Sequence, residues 1–479
     1  MIKNISKTKS LLLFLFISFQ SKADIKLPSI FGDNMVLQQK ESVAIWGKST
    51  PEKNVTVATS WNNKMYSTKS DSKGSWKLKV QTPSAGGPYA ITISDGKTLK
   101  LNDVLIGEVW VFSGQSNMEM PLKGFLNQPV IGSNHTIATS KNKSIRLFTV
   151  KQDKSLVQKD DFDGKWLASE PENVGNFSAT AYFFGQMIQR SLDVPIGLIC
   201  SSWGGSRIEP WISEFGLKNF DWVKLPNKNM TENFNKQVPT VLYNAMISPM
   251  VGYGIKGAIW YQGEANRNEP KEYLKLMAGI VNNWRAEWGI GDFPFYYAQI
   301  APYNYVTSPY NYGEKSLNSA YIREAQLKAV SETTNIGMAS LLDVGEEFCI
   351  HPSNKKVAGE RLAYLALSKT YHISGIAYSG PILKEMKVAG SLVKLTFDHA
   401  SKGLTTFGKE LKNFKIAGEN KRFVPAMATI TTDGITVFSS QVEKPVAVRY
   451  AFDDFVIGEL FNTEGLPASS FRTDNWEIK

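Results

Sequence analysis

The strongest constraint in this sequence is a change of hydrophobic period that occurs twice along the chain. From residue 24 to about 103, short segments alternate apolar and polar side chains: Val55-Thr-Val57-Ala-Thr59, Trp76-Lys-Leu78-Lys-Val80 and Tyr89-Ala-Ile91-Thr-Ile93. Asp71-Ser-Lys-Gly74, Pro83-Ser-Ala-Gly-Gly87 and Asp95-Gly96 separate them, as turns separate the strands of a small sandwich. Near Val104 the pattern changes. Leu105 to Phe112 is apolar except for Glu108, the signature of a strand buried on both faces. Further strands are predicted at 194–200, 256–261, 295–300 and 337–343. Helices are predicted at 178–192 (with Ser178 as N-cap), 271–288, 318–331 and 354–369. Strands alternating with helices imply a mostly parallel sheet covered on both faces. From about Ile376 period two returns in Leu392-Val-Lys-Leu-Thr-Phe397, Ala428-Thr-Ile-Thr-Thr432 and Ala447-Val-Arg-Tyr450. The chain therefore reads as an N-terminal β-domain (24–103), an α/β domain (104–375) and a C-terminal β-domain (376–479). Its 479 residues suit three domains at about 150 residues each. No Pro/Ser linker separates the parts, so they are expected to pack together.

Residues 1–23 read as a secretory signal. Lys3, Lys7 and Lys9 precede the apolar run Leu11 to Phe19, and Ser21-Lys-Ala23 provides small residues before a cut. The run is much shorter than the ~20 residues that span a bilayer, so no membrane span is expected. Cleavage would remove four lysines and no acid, reducing the formal charge from +10 to +6. No Lys/Arg-rich run remains that reads as a phosphate-binding patch, which argues against a nucleic-acid partner. The 2 cysteines exclude a disulfide framework and a paired-cysteine zinc site. Together these features suit a periplasmic or extracellular protein.

In open α/β sheets, ligands bind beyond the carboxyl ends of the strands, so the residues after each apolar run carry the chemistry. After the first comes Ser113-Gly-Gln-Ser-Asn-Met118, where a strand-to-helix turn lifts Ser116 clear of the sheet. Met118 replaces the second glycine of the G-x-S-x-G elbow, which disfavours an ordinary α/β-hydrolase. After the second comes Cys200-Ser-Ser-Trp-Gly-Gly-Ser-Arg-Ile-Glu-Pro-Trp211. Its adjacent glycines let backbone N–H groups approach a ligand, although they serve equally in a tight turn. After the third comes Trp260-Tyr-Gln-Gly-Glu-Ala-Asn266, in which Asn266 is a possible amide donor and Glu264 a possible loop anchor. After the last comes Asp343-Val-Gly-Glu-Glu-Phe-Cys-Ile-His-Pro352. Of the 4 histidines only His351 follows a strand of this sheet, and imidazole is suited to exchange a hydroxyl proton near neutral pH. Each fragment alone is weak. Their order, each after its own strand, is not.

That order resembles the SGNH hydrolases. GEVWVFSGQSNMEMPL, SSWGGSRIEPW, WYQGEAN and the His-Pro segment resemble the sialate O-acetylesterase family of carbohydrate esterases. Gly32-Asp-Asn-Met-Val-Leu-Gln-Gln39, Val43-Ala-Ile-Trp-Gly47, Asn462-Thr-Glu-Gly-Leu-Pro467 and Phe471-Arg-Thr-Asp474 extend the likeness to both ends. The resemblance implies an SGNH-like α/β fold with flanking sandwich-like regions and no cofactor or metal. It implies Ser116 as nucleophile and His351 as general base. Oxyanion donors would be the Ser116 N–H, Gly204 or Gly205, and Asn266. Gln115, Arg207, Gln262 and Glu264 are the expected contacts to an O-acetylated carbohydrate, although Arg207 equally suits a salt bridge to Glu209. The sequence departs from the family in one place. Many members carry Asp two residues before the histidine, and this chain has Cys349. Asp343 is the first expected substitute, ahead of Glu347 and Glu346, with a Ser-His dyad held by a backbone carbonyl as the alternative. Cys200 and Cys349 both fall near the site, as a disulfide or as two free thiols. An acetylxylan esterase and a carbohydrate binder with impaired catalysis remain as rival readings. The lack of a long apolar lid argues against a lipase.

Overall fold

The computed structural model describes residues 25–228, 234–307 and 317–477. The predicted signal segment lies outside them. The architecture is mixed α/β, built on Thr98–Gly114, a 17-residue strand. Its second half is the centre of a mostly parallel sheet. Ile196–Ser202, Asn142–Thr149 and Trp166–Ser169 follow in turn on one side, and Gly257–Tyr261, Phe295–Ala298 and Ile336–Ala339 on the other. Only Trp166–Ser169 runs antiparallel to its neighbour. All these pairings except that one place the strand ends together at one edge, as expected for a ligand-binding edge.

Helices cover both faces because side chains alternate along a strand. Val109 and Val111 belong to one buried cluster with Trp284 and Ile280 of helix Pro270–Trp288 and Ile322 of helix Ala320–Ala329. Trp110 and Phe112 face the other way, into a cluster with Phe184 of helix Ala179–Leu192 and Leu362 of helix Lys355–Leu365. Ser178 caps its helix as predicted, accepting from the Ala181 N–H at 3.2 Å, a contact worth about 1 kcal/mol. Among the described residues, no helix is long and apolar enough to cross a membrane.

The first half of the long strand belongs to the N-terminal β-region, where it pairs with Gly86–Ser94 and Val36–Gln38. The expected domain boundary at 103/104 thus falls inside one strand. A bulge lies at that point: Asp103 has φ 53°, and Arg146 holds its carboxylate with two hydrogen bonds of 3.0 and 3.1 Å. Hydrophobic residues of both regions, Val57 and Ile93 with Val109 and Trp211, merge into one core. Glu108, the acid in the apolar run, is buried where the regions meet. It accepts hydrogen bonds from Gln38, Gln39 and Tyr371.

The C-terminal region forms two four-stranded antiparallel sheets and a two-stranded one. It is fastened to the α/β part by Arg323, fully buried on helix Ala320–Ala329, which donates to the Asp454 carbonyl and the Ser470 hydroxyl. Arg472 adds an ion pair to Glu324 at 3.0 Å.

Candidate active site

The serine turn is set by backbone geometry. Gly114 ends the central strand with φ 136°, and a Cβ there would lie 2.2 Å from the Tyr261 carbonyl oxygen. Only glycine lets the chain leave the sheet this close to its neighbour. The Gln115 N–H then donates to that same carbonyl at 3.0 Å. Ser116 opens the short helix Ser116–Glu119, so helix formation does not use its N–H. The serine is part-exposed, in an open cleft of about 730 Å³. His351, Gln115, Gly204, Gly205, Arg207 and Glu264 line the same cleft. Gly204 rests against the serine: a Cβ there would stand 3.3 Å from the Ser116 Cβ.

Behind Ser116, buried Asn117 ties three elements together. Its Nδ2 donates to Glu264 Oε1 at 2.6 Å and to the Ile350 carbonyl at 3.1 Å, while its Oδ1 accepts from Lys355 Nζ. Burial pushes Lys355 down to about 7, although Glu264 and then Cys349 and Glu346 act in the opposite direction. Burial likewise raises the Glu264 carboxyl above its usual range.

His351 sits beyond the last strand, next to Ile350. Its Nδ1 faces Gln128 Oε1 at 2.5 Å, and Phe125 makes a T-shaped pair with the ring, centroids 5.3 Å apart. Burial, and after it the nearby Lys355 charge, lowers His351 to about 4. Asp343, the expected orienting acid, is not paired with it. Both Asp343 oxygens accept from Arg361, at 2.6 and 2.7 Å, because the carboxylate points at the closing helix. Glu346 accepts from Ser353 instead, and Glu347 from Asn304.

Comparison with known proteins identifies the family. The family model for carbohydrate esterases described as sialic acid-specific acetylesterase matches residues 106–367. The chain belongs to this family. The sialate O-acetylesterases of Mus musculus and Homo sapiens are each 28% identical to it, over 92% and 89% of this chain and 92% and 87% of theirs. The crystal structure of a carbohydrate acetylesterase from Xanthomonas citri superposes with a TM-score of 0.85 at 35% identity, over 95% of this chain and all of that one.

Within this carbohydrate esterase, several expected contacts take other roles. Asn266 is buried and does not present its amide to the cleft. Its Nδ2 donates to Glu209, and its Oδ1 accepts from the Ile208 N–H and from Gln262 Nε2. Gln262 is fully buried too, spending its amide on Asn266 and the Ser206 carbonyl, so it builds the loop and does not contact the cleft. Arg207 reaches the cleft but is committed to Glu209 at 2.8 Å and to Glu269, the salt-bridge reading of that residue. Gly204 donates its N–H to Glu119, and its carbonyl accepts from Lys236. Gln115 is pinned by the Gly263 and Ala265 N–H groups at 3.5 and 3.3 Å. The thiols are unpaired: Cys200 is buried, and Cys349 donates to the His351 carbonyl at 3.2 Å.

Sequence reasoning missed Gln128, Phe125, Asn117 and Lys355. The one available signal was the Gly-, Asn- and Pro-containing stretch after the serine, Gly124-Phe-Leu-Asn-Gln-Pro129, which marks a turn but not its partner.

Proposed function

We propose that this family member is an exported esterase that removes O-acetyl groups from carbohydrates through an acetyl-serine intermediate on an SGNH-type scaffold. The observation that carries the reading is that Ser116 and His351, from opposite ends of the α/β segment, line one open cleft. Ser116 Oγ attacks the acetyl carbonyl carbon while His351 takes its proton. The tetrahedral oxyanion is received by the Ser116 N–H and the Gly204–Gly205 backbone, with Glu119 displaced from Gly204. Collapse expels the sugar oxygen, which takes the proton from His351, and water then releases acetate with His351 again as base. Residues 104–375 would form the catalytic domain, joined to the N-terminal β-region through the shared strand. Export would depend on residues 1–23.

Ser116→Ala should abolish acetate release while leaving thermal unfolding unchanged. Undiminished release would sink the reading. Acetate release measured side by side on O-acetylated sialic acid and acetylated xylan assigns the substrate. A carbohydrate binder without catalysis is favoured by the two β-rich regions, the 12 Trp and the missing acid at Cys349. It predicts no covalent labelling of Ser116 by a serine-directed phosphonate.

A further inference from the structure

The departure at Cys349 leaves the proposed base without a carboxylate, and the structure shows another group in that place. Phe125 and Gln128 exchange both backbone hydrogen bonds at 3.0 Å around the two-residue turn Leu126-Asn127, with Asn127 at φ 58°. This small hairpin is joined to the histidine loop by the Ile131 N–H, which donates to the Ser353 carbonyl at 2.9 Å. Ser353 in turn is fixed by Glu346 through its N–H and hydroxyl at 2.7 and 2.6 Å. The hairpin therefore delivers two contacts to one ring: Phe125 in a T-shaped ring pair and Gln128 Oε1 on Nδ1.

We propose that Gln128 is the positioning residue for His351, a neutral amide oxygen standing where the family's carboxylate would act. The proposal rests on the reading of His351 as general base. An amide oxygen can only accept, so the Nδ1 facing it must carry the hydrogen. That fixes the tautomer in which Nε2 keeps its lone pair for the serine proton. It is the orienting half of what an acid does in a hydrolase triad. The other half, charge stabilisation of the imidazolium, is missing, because the amide is uncharged. Among the described residues the charged surroundings do not supply it. Lys355, on the closing helix, is the charge that acts on the ring, and it is a cation. Glu346, Cys349 and Glu264 act electrostatically on that lysine. Arg207, Lys236, Arg267, Glu264 and Glu269 line the cleft that the ring faces. The ring is thus oriented but kept neutral into mildly acidic solution, a different compromise from that of a carboxylate-backed histidine.

The test uses the mature chain with 4-nitrophenyl acetate as probe, comparing Gln128→Ala, Gln128→Glu and His351→Ala across pH. Gln128→Ala frees the ring and is expected to lower kcat roughly 10- to 100-fold, part of the ~10²–10⁴ that a positioned base contributes, with little change in KM. Gln128→Glu keeps the acceptor and adds the charge. It should recover kcat relative to the alanine variant and move the acid limb of kcat/KM upward by about one to three pH units. A merely structural hairpin contact would not move that limb. An unmoved limb in Gln128→Glu, or an unchanged kcat in Gln128→Ala, overturns the proposal. His351→Ala separates the two levels. If that variant keeps wild-type turnover, the assignment of the base fails. If it is inactive while the Gln128 variants behave as wild type, only the role of Gln128 fails.

Discussion

The serine half of the site is held by backbone, and the histidine half by side chains borrowed from a distant loop. Ser116 follows a glycine that no other residue can replace without striking Tyr261, and its loop hydrogen-bonds directly to the neighbouring strand. His351 stands well past the end of its strand, Ile336–Ala339, and owes its ring orientation to Gln128 and Phe125. Asn117 joins the halves, since one amide reaches both the Glu264 loop and Ile350. A backbone device tolerates almost no change, whereas a side-chain device can be exchanged for another of similar shape. On the exchangeable side this chain has Cys349 where the family resemblance led one to expect an acid.

Three changes probe this contrast. The largest effect is expected from Gly114→Ala, which adds an atom 2.2 Å from a carbonyl oxygen at a positive φ. Strain and overpacking of about 1–3 kcal/mol each should lower the urea midpoint sharply and remove activity. An unchanged midpoint would show that the serine half is as adaptable as the other. Asp343→Ala comes next. It leaves Arg361 without its carboxylate in a largely buried setting and should cost about 3 kcal/mol. The acid limb of kcat/KM should stay in place, because Asp343 serves the helix and not His351. A limb that moves would return Asp343 to the histidine. The smallest effect is in pH dependence. With His351 at about 4, the wild-type acid limb should lie near that pH and not near 6.5. Between those values the unfolded chain binds a proton that the folded chain does not. The histidine's contribution to stability is therefore complete above about 6.5 and is lost as pH falls toward 4. Thermal melts of wild type and His351→Ala over this range should converge as the pH falls.

The same contrast explains what could be read from the sequence. The serine turn was legible because backbone requirements write themselves as residue types: a glycine at the strand end, a serine after it, glycines opposite. The long helices were legible by period, and Ser178 announced its helix. The sheet edge was not. Asn142–Thr149 has apolar residues only from Ile145 onward, and Trp166–Ser169 is too short to show a period. The partner of His351 was sought among nearby acids because charge is visible in a sequence. Gln128 lies 223 residues away and is an uncharged side chain in a turn, so only the folded chain reveals it. Asn266 failed for a related reason. An amide after a strand reads as a donor, and nothing local tells whether a buried carboxylate such as Glu209 has already claimed it.

The long strand Thr98–Gly114 has a consequence for synthesis. When it leaves the ribosome, partners for its first half, Val36–Gln38 and Gly86–Ser94, have already been made. Its second half, which ends at the serine turn, must wait for Ile196–Ser202 and then Gly257–Tyr261. Until then a run of apolar residues with open hydrogen-bonding edges is displayed on a partly finished template. Both partners of that half are in the chain only once residue 261 has been made. A truncation that removed the early strands would leave the first half of that strand without its partners as well.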